Sequence, residues 1–321
     1  MDSYKIFEEK IKESKHILIL SHVNPDGDTL GSMCAVYASI LKKYKKKAEM
    51  LIFSKLPQNY KFLPYVNEIK TLDMIDKSRE YDLVITTDVA ALDRVLDAQI
   101  LFEKAKYRIN IDHHRTNDGF GDTTYIEPDA SSAGEVVYHI LNALNWDIDL
   151  EIATCIYTAI LTDTGGFRFE NTSSEVLKIA STLVEKGIIP KDIFKKCYES
   201  KTKGMVLFQN YCVSKSQFVN DDKIAYTVVY KKDMEKFTAG DDYTDGIAEV
   251  LRSIMTTQVS FVVKEVDSKT CKISMRSKGI DVANICCKFN GGGHKFAAGC
   301  TIKTSCKDAV KKLLNEIEKE L

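Results

Sequence analysis

The sequence predicts an α/β fold, with a mostly parallel sheet flanked by helices and joined by a helical linker to a smaller α/β domain. Short apolar runs alternate with helical periodicity through about residue 185, a pattern typical of a parallel sheet. From Phe218 a second set of strand-like runs begins, and 321 residues are enough for two domains. We therefore expect domains at residues 1–187 and 217–321, with the linker at residues 188–216.

The first domain contains four strand-like runs separated by helical segments. The strands are predicted at residues 16–21, 47–54, 82–87 and 107–111. Helices are predicted at residues 3–13, 29–43 and 151–161. Two further helices are expected at the capping boxes Ser132-x-x-Glu135 and Thr172-x-x-Glu175, and Gly187 is expected to end the second of them.

The linker and the second domain differ from this pattern. Residues 188–216 are rich in lysine and mostly helical in periodicity. Beyond them, strands are predicted at residues 223–232, 258–266 and 270–277, and helical segments around residues 243–254 and 306–320. We therefore expect a second α/β domain of about a hundred residues.

Composition and charge limit the function classes. Lys+Arg number 45 and Asp+Glu 46, so the formal net charge of −1 argues against a protein that coats duplex DNA non-specifically. The nine cysteines form no CxxC pair, which favours reduced thiols in the cytosol. The charged N-terminus does not resemble a signal peptide, and no apolar run approaches the roughly 20 residues of a membrane span. We expect a cytoplasmic protein without a membrane partner.

Acidic and imidazole side chains collect at the ends of the predicted strands and helices. Asp112-His113-His114 follows the fourth strand directly, and three consecutive side chains that bind metals or protons are hard to explain by packing. Ligands bind beyond the carboxyl ends of parallel strands, so residues that follow different strands are expected to share one edge. The other candidates at such ends are His22, Asp26, Asp28, Asp88 and Asp163.

Each of these side chains has a simpler interpretation when it is considered alone. Asp88 alone would be an ordinary helix cap. Asp26 and Asp28 alone would be ordinary turn residues, because aspartate is frequent in turns. All of them together would require several independent coincidences. Oxygen ligands with imidazole and without thiolate suit Mn²⁺, Mg²⁺, Co²⁺ or Fe²⁺. Such a set can hold two cations, the usual arrangement for in-line displacement at phosphorus.

The second domain carries a candidate anion site. Three glycines precede His294, and glycine allows backbone N–H groups to approach an anion closely, although a plain tight turn is the alternative. Upstream, Arg276 and its neighbour Ser277 end a predicted strand. Arg276 could hold a phosphate bidentately, whereas its default interpretation is a surface arginine. His139 lies on an apolar helix face and is expected to be a core or boundary residue.

The motifs together resemble a known family. They are HVNPDGDTLGS at residues 22–32, TTD at 86–88, DHHRTN at 112–117, TDTGGF at 162–167, SMRS at 274–277 and GGGHKFAAG at 291–299. In this order they resemble the DHH-family phosphoesterases with their associated C-terminal domain. Within that family the chain is most similar to the stand-alone nano-RNases, the oligoribonuclease and pAp phosphatase type.

The resemblance implies roles for individual residues in the first domain. It implies that one metal is held by His22 and Asp26, with Asp88 bridging to a second metal. The ligands that it implies for this second metal are Asp28, His113 and Asp163.

The resemblance also implies which residues handle the substrate. Asp112 would orient His113, and His114 would contact the reacting phosphate. The terminal phosphate or base of the substrate would be held by the second domain, through Arg276, Ser277, Gly292, Gly293 and His294.

The expected activity is that of a phosphoesterase with two divalent cations, foremost Mn²⁺. Its substrates would be short single-stranded RNA and dinucleotides such as pApA or pGpG, cleaved to nucleoside 5'-monophosphates, and pAp, cleaved to AMP and phosphate. A cyclic di-AMP phosphodiesterase is the nearest alternative, and a non-catalytic RNA-binding module is an alternative from another class. The sequence leaves open the preferred substrate, the cellular metal, the polarity of attack and whether the protein is a homodimer.

Overall fold

The computed structural model describes residues 3–321, except for the side chains of Ser3, Asp241 and Asp242. Contacts divide the chain into two compact units, one ending at Ser200 and the other beginning at Lys201. Each unit contains one six-stranded sheet with helices packed against it. The predicted class, an α/β fold with a second, smaller α/β domain, is confirmed.

The sheet of the first unit is parallel throughout. Its strand order is β3-β2-β1-β4-β5-β6, so β1 and β4 lie at the centre. The strands are β1 (Ile17–Leu20), β2 (Glu49–Ile52), β3 (Ile69–Thr71), β4 (Leu83–Thr87), β5 (Tyr107–Asp112) and β6 (Thr123–Ile126).

Helices cover both faces of this sheet, and the two faces have separate cores. In β1, Ile17 and Ile19 belong to one core and Leu18 and Leu20 to the other, which explains why the whole strand is apolar. The helices are α1 (Ser3–Glu13), α2 (Gly27–Tyr44), α3 (Gln99–Lys104), α4 (Ala133–Ala143), α5 (Leu150–Asp163), α6 (Ser174–Glu185) and α7 (Pro190–Tyr198).

Helices α2 and α5 pack closely, and a glycine makes this possible. A Cβ atom on Gly31 would lie 2.5 Å from the carbonyl oxygen of Cys155, so only glycine fits there without displacing the α5 backbone. The N-terminus of α2 is fixed by Asp26, whose carboxylate accepts the backbone N–H groups of Asp28 and Thr29. A Cβ atom on Gly27 would likewise lie 2.4 Å from Thr162 Oγ1, so the start of α2 packs closely against the end of α5.

The four strands predicted in the first unit are all present, but two further strands were not predicted. β3 and β6 are short edge strands, and most of their residues are only partly buried. They therefore lack the apolar run that signals a central strand. Helix α2 begins at Gly27, two residues earlier than predicted, and Asp163 is the last residue of α5 rather than lying beyond it.

The second unit is built on a mixed sheet of order β11-β12-β10-β9-β8-β7, in which β8 and β9 are parallel and the other pairs antiparallel. The strands are β7 (Gln217–Val219), β8 (Ile224–Val229), β9 (Val259–Asp267), β10 (Thr270–Ser277), β11 (Gly292–His294) and β12 (Ala297–Ile302). The helices are α8 (Lys203–Ser214), α9 (Lys231–Lys236), α10 (Ile247–Arg252), α11 (Val282–Cys287) and α12 (Cys306–Ile317).

The predicted linker is divided between the two units. Helix α7 buries Ile193 and Cys197 in the core of the first unit. Helix α8 buries Phe208 and Cys212 in a core of the second unit. Both segments are helical, as predicted, but each helix belongs to a unit. In residues 3–321, no helix combines the length and the apolar character that crossing a membrane requires.

Candidate active site

The site residues predicted in the first domain meet at the carboxyl-terminal edge of the parallel sheet. The neighbouring strands β1, β4 and β5 all end at this edge. His22 follows β1, Asp88 follows β4, and Asp112 is the last residue of β5. Two helix ends complete the edge, because Asp26 caps α2 and Asp163 ends α5. Motifs from five elements therefore converge on one place, as the strand-end argument predicted.

One group of ligand atoms is formed by His22, Asp26 and Asp88, which lie within 4.8 Å of one another. His22 Nε2 is 3.4 Å from Asp88 Oδ2. The backbone N–H of Asn24 donates to His22 Nδ1 at 3.2 Å. The other ring nitrogen, Nε2, is therefore the one that faces the Asp88 carboxylate.

A second group is formed by Asp28, His113 and Asp163, again within 4.8 Å. His113 Nε2 is 3.5 Å from Asp28 Oδ2 and 3.7 Å from Asp163 Oδ2. Asp28 is held from the other side, because the backbone N–H groups of Ala133 and Gly134 donate to its two oxygens at 2.7 and 2.9 Å. These donors stand in the first turn of α4, where a carboxylate is favoured by the helix dipole.

Asp88 connects the two groups. Its Oδ2 faces His22, while its Oδ1 is 3.8 Å from His113 Nε2 and 3.7 Å from His114 Nδ1. Its backbone has φ +58°, a left-handed conformation that aspartate tolerates better than most residues, and its N–H donates to Ile111 O at 2.9 Å. The carboxylate is thereby placed with one oxygen toward each group.

The electrostatics reflect several carboxylates buried together. Burial raises the pKa of Asp28 well above its usual value, and the charges of Asp88 and Asp163 raise it further. Burial likewise raises the pKa of Asp163 to about 7, although the charge of His113 opposes the shift. For Asp88, burial is outweighed by the hydrogen bond and charge of His22, so the pKa is lowered.

The donor set fits divalent cations. Carboxylates this close repel one another, and a cation between them removes that repulsion. Oxygen and imidazole donors without thiolate suit Mn²⁺ or Mg²⁺ rather than a structural zinc. Each group supplies three ligand atoms, which leaves room in a coordination shell for water or a phosphate oxygen. The residues that could hold the cations are His22, Asp26, Asp28, Asp88, His113 and Asp163.

The structure corrects one predicted partnership. Asp112 Oδ1 lies 2.8 Å from Nδ1 of His114, whereas the prediction paired Asp112 with His113. Nδ1 of His113 instead lies 3.2 Å from the carbonyl oxygen of Ala130. For His114, burial lowers the pKa, but the hydrogen bond and charge of Asp112 outweigh it and raise the pKa to about 9. The contact with Asp112 therefore favours the protonated form of His114.

Thr29 is a site residue that the sequence argument did not single out. Its hydroxyl oxygen lies 2.6 Å from both His22 Nε2 and Asp88 Oδ2, and 3.1 Å from Asp26 Oδ1. It therefore touches every member of the first group. Its place inside the motif HVNPDGDTLGS was a signal that could have identified it.

Two asparagines support the carboxylates and were also missed. Asn117 Nδ2 donates to Asp112 Oδ2 at 2.6 Å, and this residue ends the DHHRTN motif. Asn171 Nδ2 lies 3.4 Å from Asp163 Oδ2, and it also lies 3.0 Å from the carbonyl oxygen of Ser131 and 3.2 Å from that of Asp163. Asn171 lies outside the motifs, so the sequence alone offered no signal for it.

In the second unit, the predicted glycine-rich loop is an edge strand. Gly292–His294 form β11, paired only with β12 in the sheet order, and Gly293 and His294 are exposed. Gly291, which precedes the strand, packs so closely that a Cβ atom would lie 2.3 Å from Gly299 O. An edge strand presents backbone N–H groups that are not used by a neighbouring strand.

The two polar residues predicted upstream have different surroundings. Arg276 is half-buried, and its Nε donates to Glu249 Oε1 at 2.7 Å. Ser277 is 1% exposed, and its hydroxyl donates to the carbonyl of Ile280. We therefore correct the prediction that Ser277 contacts the substrate, because its hydroxyl is committed to the protein interior.

Comparison with known proteins identifies both units. The profile of the DHH family, N-terminal domain, matches residues 16–160, and that of the DHHA1 domain matches residues 221–321. A bifunctional oligoribonuclease and PAP phosphatase NrnA from Bacillus subtilis is 29% identical over 312 residues, covering 94% of this chain and 93% of that protein. The protein of the same name from Thermus thermophilus is 30% identical over 308 residues, covering 95% and 90%.

A solved structure agrees with these matches. An exopolyphosphatase-related protein from Bacteroides fragilis has a TM-score of 0.91 and 29% sequence identity, covering 99% of this chain and 96% of that one. The predicted resemblance is confirmed over nearly the whole chain. The chain therefore belongs to the DHH family of phosphoesterases, as a hydrolase with a DHHA1 domain and with similarity to the NrnA proteins along both units.

Proposed function

We propose that this protein is a phosphoesterase that requires two divalent cations, foremost Mn²⁺, and acts on short nucleotides. Its substrates would be oligoribonucleotides of a few residues, linear dinucleotides such as pApA and pGpG, and pAp. The observation that carries the proposal is the pair of three-ligand groups joined through Asp88. The names of the relatives, oligoribonuclease and PAP phosphatase, support the choice of substrates.

The six ligand residues would hold the cations, and His114 would act on the substrate. When bound, two divalent cations would supply a nucleophile from water at neutral pH and offset charge on the phosphate. His114 Nδ1 is bonded to Asp112, so its Nε2 is the atom that we assign to the phosphate or to the leaving oxygen. The hydrogen bond and charge of Asp112 favour the protonated imidazole, which suits Nε2 to donate a proton or a hydrogen bond.

The second unit would recognise the substrate rather than react with it. We assign the terminal phosphate or base of the substrate to the edge strand around Gly292, Gly293 and His294. Arg276 of the SMRS motif would assist, because Arg276 and His294 both pair with Ala297 of β12. Backbone N–H groups on an edge strand suit an anion. The cytoplasmic location and the homodimer remain predictions. All nine cysteines are free thiols, the state that a reducing compartment favours.

Turnover of defined substrates tests the proposal. Purified protein with Mn²⁺ would be given RNAs from 2-mers to 24-mers, pAp, pApA and cyclic di-AMP. We expect fast release of nucleoside 5'-monophosphates from the shortest RNAs, release of phosphate from pAp, and loss of both activities after chelation. Faster cleavage of the 24-mer than of the 2-mer would contradict the proposal, and faster cleavage of cyclic di-AMP than of pApA would favour the alternative.

A further inference from the structure

The side-chain amide of Asn117 is held in one orientation beside Asp112. Its Nδ2 lies 2.6 Å from Asp112 Oδ2, 2.8 Å from Asn110 Oδ1 and 3.1 Å from Val89 O. Its Oδ1 accepts the backbone N–H of Gly119 at 2.8 Å. A flipped amide would set an oxygen against three acceptors, so the nitrogen must face Asp112.

Asn110 anchors this arrangement inside the sheet. It is fully buried in β5, and its Nδ2 donates to Thr86 Oγ1 at 2.9 Å and to Val89 O at 3.2 Å. Burying an amide in an apolar strand is costly unless its hydrogen bonds are made, and here both ends are used. Asn110 and Asn117 therefore form a connected polar network between β4, β5 and the segment after His114.

Asp112 is the point at which this network reaches the candidate active site. It is fully buried, with Oδ2 accepting from Asn117 and Oδ1 lying 2.8 Å from His114 Nδ1. Rotating the carboxylate would break both contacts at once. The position of the His114 ring is thus tied to the amide of Asn117 through one carboxylate.

We propose that Asn117 is a positioning residue that fixes the Asp112 carboxylate and, through it, the orientation of His114. The inference rests on the role that the proposed function gives to His114. Catalytic geometry must be held within about 0.5 Å, and supporting hydrogen bonds are what hold it. A purely structural role for Asn117 would affect folding and leave the chemistry of His114 unchanged.

Replacement of Asn117 by aspartate isolates the donor. Asn117→Asp keeps the shape and the acceptor for Gly119 but places an oxygen against Asp112. We expect kcat on pAp with Mn²⁺ to fall about 10- to 100-fold, with KM changed less than about 3-fold, as for lost supporting contacts. Gln209→Glu is the matched control, because Gln209 Nε2 also donates to two carbonyls, at 3.2 and 2.6 Å, in the second unit.

A double-mutant cycle tests whether Asn117 acts through His114. In a His114→Ala background, Asn117→Asp should lower the remaining kcat less than about 3-fold, because the ring that it positions is gone. An equal loss in both backgrounds, or an unchanged kcat in the single variant, would overturn the inference. The control variant should keep its kcat even if its thermal midpoint falls.

A spectroscopic measurement decides the same question without turnover. In protein labelled with ¹⁵N-histidine, the signals of His114 are identified by their loss in His114→Ala. We expect Asn117→Asp to shift the Nδ1 signal of His114, and Gln209→Glu to leave it in place. An unshifted signal would refute the inference. If the parent protein is inactive on every substrate, the proposed function fails, while the spectra still test the positioning.

Discussion

The two units present their candidate functional groups in opposite ways. In the first unit the groups come from distant parts of the chain, from residue 22 to residue 163, and are buried against one another. In the second unit they are consecutive residues on an exposed edge strand. Buried groups of like charge need ligands and hydrogen bonds to coexist, whereas the outer side of an edge strand presents backbone N–H groups that no neighbouring strand uses.

Under the proposed function, this difference would assign the chemistry to the first unit and substrate recognition to the second. A reacting phosphate requires fixed groups in a low-dielectric place, which the sheet edge of the first unit provides. An exposed strand can bind an anion but excludes little water, so under the proposed function it would contribute affinity rather than rate. Variants in the first unit should therefore change kcat, and variants at β11 should change KM or the stability of the second unit.

The largest effect is expected from Asp88→Asn. Asparagine keeps the size of the side chain and also tolerates a positive φ, so the variant should fold. It removes the charge that both ligand groups share. We expect activity on pAp to fall at least about 100-fold, more than for loss of a supporting contact, with weaker Mn²⁺ binding by calorimetry.

The control for Asp88 is Asp147→Asn, which removes an exposed carboxylate from the same unit. It should keep activity and Mn²⁺ binding. If Asp88→Asn bound Mn²⁺ and turned over pAp like the parent protein, the assignment of the site would fall.

The next largest effect is a loss of stability on substituting the closely packed glycine that precedes β11. Gly291→Ala would bring a Cβ atom to 2.3 Å from Gly299 O and 2.4 Å from Cys300 Cβ, so the hairpin must shift. We expect a loss of about 1–3 kcal/mol in the stability of the second unit, measured by urea denaturation. Gly292→Ala is the matched control, because a Cβ atom there meets nothing within 4 Å. Equal stability of the two variants would contradict the packing argument.

Recognition by β11 is tested with His294→Ala. The residue is exposed at the end of the strand, so its removal should leave the thermal midpoint nearly unchanged. Loss of one hydrogen bond to a charged phosphate should raise KM for pAp about 10-fold, with kcat changed much less. Lys303→Ala, another exposed residue of this unit, is the control. A fall in kcat without a rise in KM would place His294 in the chemistry instead.

The smallest effect is expected from removing the pair His139–Glu127, which lies in the first unit outside the candidate active site. The hydrogen bond to Glu127, at 2.6 Å, raises the pKa of His139, which lies at the core boundary as predicted. Because the pKa of His139 is higher in the folded chain, the pair stabilises the fold at pH values below the unfolded-state pKa of about 6.5. This contribution is lost as the pH rises through the folded-state pKa.

His139→Gln should therefore cost less than about 1 kcal/mol at pH 5.5 and nothing at pH 9, because the pair is partly exposed to solvent. Urea denaturation at both values measures the difference. A cost that is larger at pH 9 would reverse the assigned sign.

Sequence patterns were sufficient for the central elements and for the metal-binding candidates. Strands such as Ile17–Leu20 are apolar throughout because they are buried on both faces, so an apolar run in the sequence predicts them. His22, Asp88 and Asp163 could be placed together because carboxyl ends of parallel strands share an edge. Edge strands such as β6 escaped prediction, since partial burial leaves no uniform apolar signal.

By itself the sequence determined the α/β class, the family and the set of acidic and imidazole residues at the sheet edge. Only the tertiary structure decided that Asp112 holds His114, that Ser277 is sealed inside the second unit and that Gly292–His294 form a strand. The physical reason is that residue types and spacings specify which groups can interact. Which hydrogen bond a buried carboxylate or hydroxyl makes depends on neighbours brought from elsewhere in the chain, as Asn110 and Asn117 are brought to Asp112.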